Sequence, residues 1–195
     1  MLPKEIIRRF LNPGALEKEF INYLEKSKAP INQDKTIATQ VLYDARPTGV
    51  GETSVTLFTG NYNQAQTNID TGSYVRPESE HFLIYGIRFY VANDTNDVDQ
   101  ATWLRGEYNQ LPSINNSVFS LVCNSVQYLK NVPIDQFNQD LIASENEGRG
   151  TLWIDEPILW EGQTELSIQW RTLTPGGIEA DDISIRFDLV GIGLI

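Results

Sequence analysis

From Thr36 onward the apolar side chains recur at every second position, and this period constrains the fold more than any other feature of the chain. Ile183, Ile185, Phe187 and Leu189 alternate with Asp182, Ser184, Arg186 and Asp188. Leu166, Ile168 and Trp170 alternate in the same way with Glu165, Ser167, Gln169 and Arg171. A period of two sends successive side chains to opposite faces of a pleated strand, and the richness in Thr, Val, Ile, Phe, Tyr and Trp suits that geometry. Strands are predicted over 36–44, 53–59, 82–92, 103–108, 118–129, 151–155 with 158–160, 165–172 and 183–194. Turn clusters such as Arg46-Pro47-Thr48-Gly49 and Thr174-Pro175-Gly176-Gly177 separate them. Uneven loops and the absence of a repeat favour two packed sheets over a propeller or solenoid. The expected fold class is therefore all-β, a single jelly-roll β-sandwich of about eight antiparallel strands with an N-terminal amphipathic α-helical arm. An immunoglobulin-like sandwich is the second architecture.

The arm spans residues 1–30 and the sandwich domain 31–195. Ile6, Ile7, Phe10 and Leu11 fall at helical spacing, and Leu16, Phe20, Ile21 and Leu24 repeat it after the break at Asn12-Pro13-Gly14. Isolated helices this short are marginal in water. Ile6, Ile7, Phe10, Leu11, Phe20, Ile21 and Leu24 are accordingly expected to bury against another protein surface, either a neighbouring subunit or the inner face of a larger assembly. The strand that begins Phe82-Leu83-Ile84-Tyr85 is apolar on both faces, which places Phe82 and Ile84 among the candidate interface residues. A neighbouring subunit, the arm or a long loop would each cover its second face.

The chain carries 26 acidic against 15 basic side chains, a formal charge of −11. The first 28 residues hold six basic and four acidic groups, which leaves nine basic and 22 acidic, or −13, on the remainder. A surface this acidic repels phosphate backbones, so no direct sequence-specific nucleic-acid binding is expected. The single cysteine, Cys123, excludes an intramolecular disulfide framework and any multi-cysteine zinc site. Charges break the opening run within five residues, and no stretch approaches the roughly 18 apolar residues of a membrane span. Synthesis in the cytoplasm without export is the expectation.

Groups for catalysis are scarce. His81 is the single histidine, and Cys123 alternates with Phe119 and Leu121 in an apolar strand where an inert buried thiol is expected. Gly49-Val50-Gly51 lacks the lysine and the following helix of a phosphate loop. Hard oxygen ligands do cluster, with Asp94, Asn96, Asp97 and Asp99 in one loop and Glu179, Asp181 and Asp182 in another. Asp94, Asp97 and Asp99 are the metal candidates, for a structural Ca²⁺ shared between subunits, with solvated turn residues as the alternative. No other cofactor is expected. Trp103, Trp153, Trp160 and Trp170 are of the type that stacks sugars, although the register of Trp170 with Ile168 points it into the core. A carbohydrate-binding sandwich, lectin-like or an attachment protein at a fibre or vertex, is the competing class. A glycosidase ranks below it, since no pair among so many carboxylates is singled out.

The succession Leu57-Phe58-Thr59-Gly60, Thr67-Asn68-Ile69-Asp70, Gly72, Pro77 and Phe82-Leu83-Ile84-Tyr85-Gly86-Ile87-Arg88-Phe89 resembles the jelly-roll capsid proteins of tailless bacterial viruses. The closing run Ile183-Ser184-Ile185-Arg186-Phe187-Asp188-Leu189-Val190-Gly191 is similar to their final strand. The two-barrel members of that group are considerably longer, so this chain would supply one jelly roll. The resemblance implies a non-enzymatic virion protein of a bacteriophage, made in the host cytoplasm. Its implied partners are copies of itself, as a trimer or pentamer within an icosahedral shell, and other virion proteins. The arm would then touch neighbours, the inner capsid surface or an internal membrane.

Overall fold

The computed structural model describes residues 12–30, 35–59, 66–69, 76–92, 103, 111–138, 150–179 and 183–194. The first described helix, α1 (Pro13–Ser27), starts with Pro13 in its first turn, where a missing N–H costs nothing. It ends at Lys28, whose left-handed backbone lets the amides of Lys28 and Ala29 bond the carbonyls of Glu25 and Leu24. Eight strands follow among the described residues: β1 (Ile37–Pro47), β2 (Ser54–Leu57), β3 (Phe82–Ala92), β4 (Ser117–Cys123), β5 (Val126–Pro133), β6 (Thr151–Trp160), β7 (Leu166–Thr172) and β8 (Ser184–Leu194). A short helix α2 (Pro112–Asn115) precedes β4, and a 3₁₀ turn (Ile134–Asn138) follows β5.

The strands form two antiparallel four-stranded sheets, ordered β1-β8-β3-β6 and β2-β7-β4-β5. The first strand pairs with the last, the second with the seventh, the third with the sixth and the fourth with the fifth. Among the described strands only β4 to β5 is a hairpin within one sheet; every other consecutive pair of them lies in different sheets. The described residues thus form a β-sandwich with α1 at its N-terminal side.

The core lies between the sheets. Phe187 of β8 stands 4.8 Å from Phe89 of β3 and 5.2 Å from Phe119 of the opposite sheet, measured between ring centroids. Phe137 of the 3₁₀ turn closes the cluster, 5.6 Å from Phe119. These tilted pairings add to the transfer free energy of burying each ring. Where β8 pairs with β3, Gly191 opposite Ile84 carries no side chain: a Cβ there would strike the Leu83 carbonyl and lie 2.6 Å from Phe82 Cζ.

Strand β3 is apolar on both faces because each face meets protein. Phe82 and Ile84 point into the sandwich, and a register shift between Ile84 and Gly86 then hands the inward role to Ile87, Phe89 and Val91. Leu83 and Tyr85 point outward and are covered by α1, whose Leu16, Phe20 and Leu24 are fully buried against them and against Ile192 and Leu194. Phe82 and Ile84 therefore belong to the core and not to an interface. Phe20 and Leu24 bury within the chain itself, on the outer face of the first sheet, instead of on a partner; Ile21 is half-buried beside them. Ile6, Ile7, Phe10 and Leu11 lie outside the described residues, as do Asp94, Asp97 and Asp99.

The run 118–129, expected to be one strand, is a hairpin. Asn124 and Ser125 both take positive φ, 49° and 62°, and reverse the chain between β4 and β5. The stretch 103–108 lies outside the described residues except for Trp103, which is not in a strand. Elsewhere strand boundaries match the expectation closely, and 151–160 is one continuous strand that accommodates Pro157 at the sheet edge.

Candidate functional site

Two places gather features beyond core packing: the junction that holds α1 on the sandwich, and a cleft on the outer face of the second sheet. At the junction, His81 precedes β3 and is almost fully buried. Its Nδ1 lies 3.0 Å from the Gly162 nitrogen in the β6–β7 turn and accepts that N–H. The other ring nitrogen must then carry the proton, and Nε2 donates to the Pro30 carbonyl oxygen at 2.8 Å. One neutral imidazole thus joins the end of the arm, the start of β3 and the β6–β7 turn. Gly162 cannot carry a side chain, because a Cβ would run into the Pro77 carbonyl and lie 2.6 Å from that of Glu78.

The same corner is braced by charge. The buried Arg76 guanidinium sits 5.7 Å from the Phe82 ring and 5.5 Å from the Trp160 ring, and its Nε donates to the Glu80 carbonyl at 3.1 Å. Lys35 reaches the Glu80 carboxylate at 2.6 Å. The arm is therefore fixed at both the helix and the segment that follows it.

The cleft encloses about 340 Å³ at the end of the second sheet, between the exit of β2, the β4–β5 hairpin and the start of β7. Thr56, Phe58, Val122, Ser125, Glu165 and Ser167 line it. Ser167 and Val122 are direct cross-strand neighbours on the outer face. The hydroxyls of Thr56, Ser125 and Ser167 and the carboxylate of Glu165 bond no other described residue, and none of the described lining residues is basic. Two of its walls are strained, since Phe58 and Ser125 are non-glycine residues at φ 62°.

No catalytic dyad forms. Cys123 is fully buried, its Sγ 3.7 Å from the Leu159 carbonyl, and burial pushes its thiol up to about 12. Both ring nitrogens of His81 are held by main chain, so neither is free to serve a thiol. Among the described residues no group of three or more His, Cys, Asp and Glu could hold a metal. Glu179 accepts a hydrogen bond from Ser113 Oγ at 3.0 Å, while Asp181 and Asp182 lie outside the described residues.

The tryptophans do not form a sugar platform together. Trp170 is fully buried with Nε1 bonded to Ser117 Oγ at 2.8 Å, and Trp160 is buried with Nε1 on the Thr164 carbonyl at 2.9 Å. Trp153 packs against the cluster under α1, and Trp103 lies 5.9 Å from the Arg186 guanidinium. Among the described residues no helix is long and apolar enough to cross a membrane.

Sequence reasoning did not single out Thr56, Phe58, Ser125 or Ser167. They come from three segments distant in sequence, the end of β2, the β4–β5 turn and the start of β7, and a hairpin turn without glycine or proline hides their convergence. Compared with models of known protein families and with curated proteins, the chain matches none.

Proposed function

We propose that the chain is a virion structural protein, a single jelly roll that forms part of an icosahedral shell of a tailless bacterial virus. The observation that carries this reading is the nested pairing of strands one with eight, two with seven, three with six and four with five. That nesting is what results when one long antiparallel hairpin is wrapped into two sheets, and jelly rolls of this kind serve as capsid and lectin domains. The sequence resemblance favours the capsid branch.

In this reading α1 acts in place, as the lid of the chain's own first sheet. Lateral contacts are then left to the ends of the sandwich. Val50 and Leu173, 58 % and 50 % exposed, stand in two turns that are bonded together through Gly51 and Ile178. Exposed apolar side chains at one end suit an edge-to-edge subunit contact. The acidic remainder of the chain opposes such contacts over about 8 Å at physiological ionic strength, so association is expected to strengthen as salt rises.

Sedimentation velocity of the full chain across concentration and salt tests this. A discrete trimer or pentamer that grows with ionic strength and is abolished by Val50→Asp or Leu173→Asp supports the reading. A monomer under every condition counts against it.

The second reading, a carbohydrate-binding sandwich, is favoured by one specific observation, the hydroxyl-lined cleft beside β7.

A further inference from the structure

We infer that the cleft on the outer face of the second sheet is a binding site for a neutral saccharide. Its volume of about 340 Å³ lies at the small end of the range for small-molecule sites, about 300–1,000 Å³. Three hydroxyls and one carboxylate open into it without partners among the described residues, so they are available to a ligand. A hydroxyl both donates and accepts, and a carboxylate accepts only. The ligand that matches must itself carry many groups of both kinds, as a sugar does.

Charge narrows the class further. With no basic residue among the described lining and the exposed Glu165 in it, a phosphate or an acidic sugar would meet repulsion and no compensating cation from the described residues. A divalent cation of the calcium type needs six to eight oxygen ligands and several carboxylates, and the described lining offers one carboxylate. Val122, half-buried on the outer face, supplies apolar wall for the C–H face of a pyranose, while Phe58, which also lines the cleft, is itself buried in the sandwich core.

Two residues of the lining take the left-handed backbone, Ser125 as part of the β4–β5 turn and Phe58 outside any such turn. Phe58 and Ser125 are held at φ 62°, and Asn124 at 49°. A bulky aromatic residue in the left-handed region is a true outlier, and such residues gather where a binding wall must be held in place. The Phe58 N–H is fixed by the Asp44 carboxylate at 2.6 Å from inside the sandwich, so the wall is set before any ligand arrives.

The test is ¹H–¹⁵N correlation spectroscopy of the full chain titrated separately with glucose, galactose, mannose, N-acetylglucosamine and Ca²⁺. The expected result is saturable shifts at the Ser125 and Ser167 amides with at least one neutral sugar, at millimolar affinity. Glu165→Gln and Ser167→Ala should each weaken that binding at least tenfold with the rest of the spectrum unchanged. Because Glu165 is exposed, its variant isolates binding from folding. No saturable shift with any sugar, equal binding by both variants, or a response to Ca²⁺ alone would each overturn the inference. It stands apart from the shell assignment, since binding is measured on the chain in solution and assembly by sedimentation.

Discussion

The backbone N–H of Phe58 donates to Asp44 Oδ2 at 2.6 Å, and the partner oxygen of that carboxylate, Oδ1, is buried without a hydrogen bond. A strand residue inside the sandwich thus holds a strained residue of the outer cleft, at the cost of a half-satisfied charge. Burial dominates the balance and raises the Asp44 carboxyl from 3.8 to about 6, against the opposing pull of the Phe58 amide and Arg46.

The sign of the resulting pH dependence is fixed. The folded state binds this proton more tightly than the unfolded state, so the contribution is fully present below 3.8 and is lost as pH rises through about 6. The span corresponds to about 3 kcal/mol. Urea titrations at pH 4 to 7 should show this component falling with pH, and Asp44→Asn should flatten it and leave the protein more stable at pH 7.

The arm is predicted to contribute to the stability of the sandwich. Phe20 and Leu24 are fully buried over Leu83, Tyr85, Ile192 and Leu194. Phe20→Ala should cost about 3–5 kcal/mol of unfolding free energy. Removal of residues 1–28 should expose that apolar face, lower the melting temperature and cause aggregation. A truncated chain as stable and monodisperse as the full one would show that the helix is dispensable.

His81→Ala should strand the Gly162 N–H and the Pro30 carbonyl together. Gly162 is half-buried and Pro30 exposed, so water can reach part of what is lost and the cost should fall at the low end of the about 1–3 kcal/mol for a buried group left unsatisfied. Hydrogen exchange should quicken at the Gly162 amide and through α1, while the amides of β4 and β7 on the other sheet stay protected. Uniform acceleration would contradict the local role.

The β4–β5 turn should be improvable. Ser125 sits at φ 62° without being glycine, and Asn-Gly is the preferred pair for a two-residue hairpin of this kind. Ser125→Gly is expected to raise stability by about 0.5–1 kcal/mol, measured by thermal unfolding.

Much of the sandwich was legible because burial is written into alternation. The strand 82–92 coincides with Phe82–Ala92, and the inward set Ile183, Ile185, Phe187 and Leu189 is buried as its period implies. The hairpin was hidden because Asn124-Ser125 interrupts a run of β-formers without glycine or proline to mark it. The destination of α1 was hidden for a different reason: a helical period reveals that Leu16, Phe20 and Leu24 share a face, but the surface that receives them is assembled from β3 and β8, far away in sequence. Apolar side chains on both faces of β3 made Phe82 and Ile84 look available to a partner, when one face lies in the sandwich core and the other under α1. The cleft was illegible because its polar groups are individually ordinary surface residues.

The proposed place of the chain in a virion is tested most directly by quantitative peptide mass spectrometry of particles purified from cells that express its gene in its native genomic setting. The account predicts that peptides of this chain sediment with intact particles, survive nuclease and high-salt washing, and are present in many copies per particle. Recovery of the chain only from the soluble fraction, with none in washed particles, would contradict it.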